Sequence, residues 1–199
     1  MERLKGYEYN KYALKLENYL NSVSESDVDL SYCAKLREKA NKLRKNLSEK
    51  LYNYINTTKV ISLDKIELLH KSGADLNYKF DSGFTLYMVA GLNAQVNALC
   101  YLFQNGANTL KQNDFGQDAL MLVGFINNYK NNFTKNYRKI KYLPIINLIK
   151  SQGFENSMNY DNSGLTYKDY YLGETEPFTK TYINKIAKSL NINENLLTL

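Results

Sequence analysis

Leu68-Leu69-His70-Lys71-Ser72-Gly73-Ala74-Asp75-Leu76-Asn77, then Gly83-Phe84-Thr85-Leu86-Tyr87-Met88-Val89-Ala90-Gly91, then Leu102-Phe103-Gln104-Asn105-Gly106-Ala107-Asn108 are the stretches on which the fold turns. Glycine marks backbone positions that need positive φ or a very close neighbour. Gly73, Gly106 and Gly153 each follow an apolar helical stretch, where a left-handed residue ends a helix. Gly83, Gly116 and Gly164 sit in turns of the form Asp-x-Gly or Asp-x-x-Gly, just before a second apolar stretch. Gly91, Gly124 and Gly173 follow eight, eight and nine residues later. From 73 to 106 and from 83 to 116 the period is 33 residues, whereas from 106 to 153 and from 116 to 164 it is 47 and 48. One unit has therefore gained about 14 residues on a helix, turn, helix period.

This pattern resembles the ankyrin repeat, in which Gly-x-Thr-Pro-Leu-His-x-Ala-Ala opens the first helix and Leu-Leu-x-x-Gly-Ala-Asp closes the second. Gly83 to Gly91 matches the opening, and both Leu102 to Asn108 and Leu68 to Asn77 match the close. Thr85, Asp118 and Thr166 stand where a first helix needs an N-cap acceptor. The array is degenerate: the family proline is replaced by Leu86, Ala119 and Tyr167, and its histidine by Met88, Met121 and Asp169. The units expected are 48–80, with a first helix from Leu51 to Lys59, then 81–112, 113–160 and 161–199. Pro144 and Pro177 are expected at the starts of second helices, where the first N–H is unpaired in any case. The fold class implied is all-α, an ankyrin-repeat solenoid of helix-turn-helix units with short β-hairpin or loop fingers.

Before residue 48, Tyr9, Tyr12, Leu16, Tyr19 and Leu20 make one apolar helical stripe, and Tyr32, Leu36, Leu43, Leu47 and Leu51 another. Ser22 to Asp27 supplies turn and cap residues between them. Terminal units of a stacked array must cover an open apolar face, so residues 1–47 are read as an N-terminal helical cap on a repeat domain of 48–199. A separate helical hairpin is the alternative.

The 199 residues, with 44% hydrophobic, 23% charged and 2 prolines, suit one folded domain rather than a disordered or disulfide-built chain. No run approaches the roughly 18 apolar residues of a membrane span, and Met1 to Tyr7 lacks the apolar core of a secretory signal. The expected location is cytoplasmic, although export by a dedicated machine leaves no readable mark. Cys33 and Cys100 have no partner spacing and read as reduced, small core side chains.

One histidine, His70, argues against most hydrolytic and zinc chemistry, which needs a base or paired ligands. Three residues before Gly73, it reads as a solvent-facing group favouring the negative end of a helix. Asn159-x-Asp161-x-Ser163-Gly164 imitates the opening of a calcium loop but ends on Tyr170 where a bidentate Glu is needed. Neither phosphate-binding glycine motif is present. The chain is therefore read as a non-enzyme with no cofactor and no metal site.

The net charge of +6 is uneven: residues 35–50 and residues 127–142 each carry +5, leaving −4 for the rest. The insertion, about 127–142, sets Tyr129, Phe133 and Tyr137 on one helical face among Lys130, Lys135, Arg138, Lys139 and Lys141. It reads as a partner-binding projection, as a nucleic-acid patch, or as nothing more than longer helices. The basic run from Lys35 to Lys50 carries the same ambiguity with a solvated helix face.

By position, the ankyrin resemblance implies a concave protein-binding surface with contacts at Asp81, Ser82, Phe84, Leu92 and Asn93 in the second unit, and Asp114, Phe115, Gln117 and Phe125 in the third. Phe84, Phe115 and Phe125 are the aromatic anchors such an interface would use, although Phe125 also fits the core. The expected function is a protein-protein interaction module, an adaptor, inhibitor or immunity-type protein, monomeric by default. The alternative is binding of nucleic acid or an anionic surface through clusters 35–50 and 127–142.

Overall fold

The structure, a computed structural model, describes residues 10–133, 139–154 and 159–172. Among these residues the protein is all-α, with eight α-helices and no strand. Helix α1 (Lys11–Ser22) starts at Asn10, whose Oδ1 accepts from the Tyr12 and Ala13 N–H groups at 3.0 and 3.3 Å. The same buried side chain donates to the Ala40 carbonyl at 2.8 Å, pinning α1 to the next helix. Helix α2 (Leu30–Thr57) is capped by Asp29, which accepts from the Tyr32 N–H at 3.0 Å. The helix expected over Leu51–Lys59 is the C-terminal part of α2 rather than a separate element, so the cap boundary expected at 47/48 falls inside one helix. The physical reason is plain in the chain: no Gly or Pro interrupts residues 30–57.

The remaining helices are α3 (Leu63–Lys71), α4 (Leu86–Leu92), α5 (Val96–Gln104), α6 (Ala119–Phe133), α7 (Lys139–Ile149) and α8 (Tyr167–Leu172). In one row α2 packs on α4, α4 on α6 and α6 on α8, while α3, α5 and α7 pack on α2, α4 and α6 respectively. Every residue of α4 is buried, and the core runs from Leu51 and Ile55 through Leu86 to Leu92, Leu120 to Ile126 and Ile145 to Tyr170. Burying a Leu, Ile, Phe or Met side chain contributes roughly 1.5–3 kcal/mol, so a fully enclosed α4 makes this row the stable centre.

Helix ends repeat at the sequence period. Ser72, Gly73 and Ala74 donate to the Leu68, His70 and Leu69 carbonyls, and 33 residues later Asn105, Gly106 and Ala107 donate to Tyr101, Phe103 and Leu102. Gly73 and Gly106 take φ of 112° and 83°, the left-handed conformation that lets orphan carbonyls be satisfied at a helix end. The end of α4 repeats the pattern with Ala94 at φ 54°, a position better suited to glycine. Gln95 then turns its Nε2 back onto the Ile55 and Thr58 carbonyls at 2.8 and 2.9 Å, satisfying the end of α2.

Two of the three expected N-caps work as expected: Thr85 accepts from the Met88 N–H at 3.3 Å and Asp118 from the Met121 N–H at 2.9 Å. At Thr166 the roles are reversed, since its N–H and hydroxyl both donate to Asp169 Oδ2 at 2.6 Å, so the cap is held by the acid three residues on. Two punctuation residues also differ from expectation. Gly153 lies in a π-helical stretch, Lys150–Phe154, that continues from α7 rather than stopping it, and Pro144 lies inside α7 rather than at its start. Pro177 falls outside the described residues.

Candidate interaction surface

Three tight turns, here called fingers, span residues 80–84, 113–117 and 161–165. Each closes with the same two backbone bonds: Phe80, Asn113 and Asp161 donate to the Phe84, Gln117 and Leu165 carbonyls at 2.9 Å, and Gly83, Gly116 and Gly164 donate back to the first residue at 2.9–3.0 Å. In the second and third fingers a side chain reinforces the turn. Asn113 Oδ1 accepts from the Phe115 and Gln117 N–H groups at 3.0 and 2.9 Å, and Asp161 Oδ1 from Ser163 and Leu165 at 2.8 Å each. The carboxylate that imitated a calcium ligand is thus spent on its own turn.

The fingers are stitched to one another. The Asp114 N–H donates to the Ser82 carbonyl and the Asn162 N–H to the Phe115 carbonyl, each at 3.0 Å, and Asn162 Nδ2 donates to the Asp114 carbonyl at 2.9 Å. This spacing leaves no room for a side chain at the turn glycine: a Cβ on Gly116 would sit 2.7 Å from the Asn162 nitrogen and 2.8 Å from the Asp161 Cα. With φ of 78° as well, Gly116 is required twice over. Behind the fingers lies a buried polar network in which Gln117 Nε2 donates to the Tyr170 hydroxyl at 2.8 Å and that hydroxyl donates to Asp161 Oδ2 at 2.7 Å. Asp118 beside it also accepts from Asn159 at 3.1 Å. Burial raises the Asp118 carboxyl above its ordinary range, and the bonds from Met121 and Asn159 oppose that shift without cancelling it.

The expected contact residues divide by burial. Asp81 and Asp114 are exposed at the finger tips, and Ser82, Phe115 and Asn93 are half-buried. Phe84 and Gln117 are 0% exposed, and Leu92 and Phe125 are 4%. These four are corrected from surface to core: Phe84 joins the hydrophobic cluster at the end of its turn, Gln117 feeds the polar network, and Leu92 and Phe125 belong to enclosed helix faces. Sequence reasoning missed Asn162 as a tip residue, although its place beside Asp161 in the Asp-x-x-Gly turn was the available signal. It also missed that Tyr52, Tyr78 and Phe80 meet at the first finger, because two of them lie outside any helix pattern.

In the insertion, Tyr129, Lys130 and Phe133 lie in α6 and Lys139 and Lys141 in α7, so the added residues lengthen two helices. Lys135, Tyr137 and Arg138 lie outside the described residues. Tyr142 at its end is buried and donates to the Leu92 carbonyl at 2.9 Å. On α2, Lys35, Arg37, Lys39, Lys42, Lys45 and Lys50 are exposed, opposite a buried face of Cys33, Leu36, Ala40 and Leu51. Lys45 pairs with Glu49 at 3.9 Å and Arg44 with Asp75 at 3.7 Å. In the row, α4 stands between α2 and α6.

His70 does not simply face solvent: its Nδ1 lies 3.0 Å from the Tyr101 hydroxyl, joining α3 to α5. Both cysteines are free thiols, Cys33 buried and Cys100 half-buried. Among the described residues no three His, Cys, Asp or Glu side chains are grouped to hold a metal, and no helix is long and apolar enough to cross a membrane. No family model matches the chain, and no curated protein matches it.

Proposed function

We propose that this chain is a protein-binding module of ankyrin type, a non-enzymatic adaptor, inhibitor or immunity-type protein that engages its partner along the fingers and the face beside them. The 33-residue recurrence in sequence, together with the recurrence of helix-end hydrogen bonds at the same period, supports the ankyrin reading. One observation carries the binding role: three fingers are locked in register by backbone hydrogen bonds while Asp81, Asp114, Asn162 and Ser163 stay exposed at their tips. A row of polar tips on a rigid base loses little conformational freedom on binding.

Tagged protein recovered from native lysate, split into nuclease-treated and untreated halves, tests this reading. One stoichiometric protein partner surviving nuclease, and lost from an Asp81→Lys/Asp114→Lys variant, is the expected result. Retention by that variant removes the finger surface from the proposal. The second reading, an anionic-surface or nucleic-acid binder, is favoured by the solvent-facing basic residues of α2. Loss of all partners on nuclease treatment selects it, whereas affinity independent of salt counts against it.

A further inference from the structure

At the start of the first finger, Tyr52 of α2, Tyr78 and Phe80 form an aromatic shelf. The Tyr52 and Phe80 ring centroids lie 4.3 Å apart at 33°, and Tyr78 meets Phe80 edge-on at 4.9 Å and 62°. Phe80 has extended backbone, with φ −89° and ψ −174°. Its contact with Tyr78 across one intervening residue puts both rings on one side of the chain. The intervening Lys79 is exposed, and its charge acts on Lys111, whose ammonium is held below its usual range by burial first and by that charge second. Tyr78 and Phe80 are half-buried, Tyr52 is buried at 9% exposure, and the next residue, Asp81, is exposed. The Asp81 carboxylate is close enough to act on Tyr52, whose hydroxyl is pushed up to about 12 by burial and by that negative charge.

Elsewhere on the surface aromatic rings already carry a lysine: Lys65 lies 4.2 Å from the Tyr54 centroid, Lys150 4.7 Å from Tyr167 and Lys11 5.1 Å from Tyr12. Among the described residues, no Lys or Arg lies over Tyr52, Tyr78 or Phe80. The half-buried Tyr78 and Phe80 rings, followed directly in the chain by the exposed Asp81 carboxylate, offer aromatic quadrupoles and a full negative charge on adjoining residues. A guanidinium fits both at once, since it stacks flat on a ring and forks its N–H groups toward a carboxylate. We propose that the Tyr78 and Phe80 rings, packed against the buried Tyr52, form with Asp81 a subsite for an arginine side chain of the partner protein. The proposal deepens the protein-binding reading above and rests on it for the partner, while the subsite itself is testable with no partner present.

The probe is Nα-acetyl-arginine amide, titrated into the isotope-labelled full chain while amide and ring resonances of residues 78–83 and Tyr52 are followed. The neutral isostere Nα-acetyl-citrulline amide serves as the control. The expected result is a saturable shift confined to those residues, about five-fold weaker with citrulline and about five-fold weaker in Asp81→Asn, the size of one exposed cation-ring or charge contact. Phe80→Leu, which keeps apolar volume at the base of the shelf, should lose affinity by a similar factor with an otherwise unchanged spectrum. Shifts that do not saturate, that are equal for citrulline, or that survive both variants overturn the proposal. Failure of the titration leaves the capture experiment unaffected, and failure of the capture leaves the titration unaffected, so the two readings are separated.

Discussion

Replacing Gly116 by Ala should cost far more than the same change at Gly106, although both glycines have nearly the same backbone conformation, φ 78° and 83°. A left-handed L-residue costs roughly 1–2 kcal/mol, partly offset by about 0.4–1 kcal/mol from the stiffer unfolded chain. At Gly106 nothing lies within 4 Å of the added Cβ, so that difference, about 1 kcal/mol, is the whole effect. At Gly116 the Cβ meets the backbone of the next finger at 2.7 and 2.8 Å. Backbone cannot rotate out of the way as a flexible side chain does, so the third finger must move back. That movement breaks the Asn162 bonds to the Phe115 and Asp114 carbonyls. Two hydrogen bonds at roughly 0.5–1.5 kcal/mol each bring the total to about 3 kcal/mol. For a chain of this length that corresponds to a melting temperature lowered by about 6–12 °C, against about 2–4 °C for Gly106→Ala. Urea titrations followed by circular dichroism at matched slope measure both. Losses equal within about 0.5 kcal/mol would refute the idea that finger-to-finger contact, rather than local φ, makes Gly116 necessary.

Asp118→Ala should destabilise by about 1 kcal/mol through loss of the α6 cap, whereas Asp118→Asn keeps an acceptor for the Met121 N–H. Because burial raises the folded-state value of Asp118 above its ordinary 3.8, this group favours folding most below that value, and its contribution is lost as pH rises through the raised one. Asp118→Asn should therefore gain on the native protein as pH climbs from about 4 toward neutrality, and a constant difference in urea midpoint across that range would count against a buried, charge-penalised Asp118. Ala94→Gly should stabilise by about 0.5–1 kcal/mol by removing a left-handed alanine at the end of α4; a lower midpoint would contradict that geometry. Phe84→Ala should cost about 3–5 kcal/mol as a core deletion, and the half-buried Phe115→Ala markedly less, so equal losses would undo the division between core and surface drawn here.

Much of the helical framework was legible in the sequence, and the reason is local. Gly73 and Gly106 announced helix ends because a left-handed residue is costly for everything else, and Thr85 and Asp118 announced helix starts because their side chains reach their own backbone. The same locality explains two misreadings. Pro144 was expected to begin a helix but sits within α7, where packing on α6 sustains the helix despite the missing N–H. Gly153, by analogy with Gly73, was expected to stop a helix that instead widens into a π-helical stretch. Both lie where the period stretches from 33 to 47 residues and the analogy with the earlier units is weakest.

The candidate site was far less legible. Phe84 ends its finger one residue past Gly83 and is buried like its counterpart Gln117, whereas Phe115 precedes Gly116 and stays half-buried like its counterpart Ser82, a division that the bare presence of a phenylalanine in each finger does not announce. Tyr52 lies 28 residues before Phe80, and nothing in either local pattern says that their rings meet. The sequence by itself determined where helices begin, end and recur, since turn glycines and caps act within four residues of backbone. Only the tertiary structure decided which side chains remain at the surface and which distant rings and carboxylates share a site, since burial depends on what the rest of the chain brings against each residue.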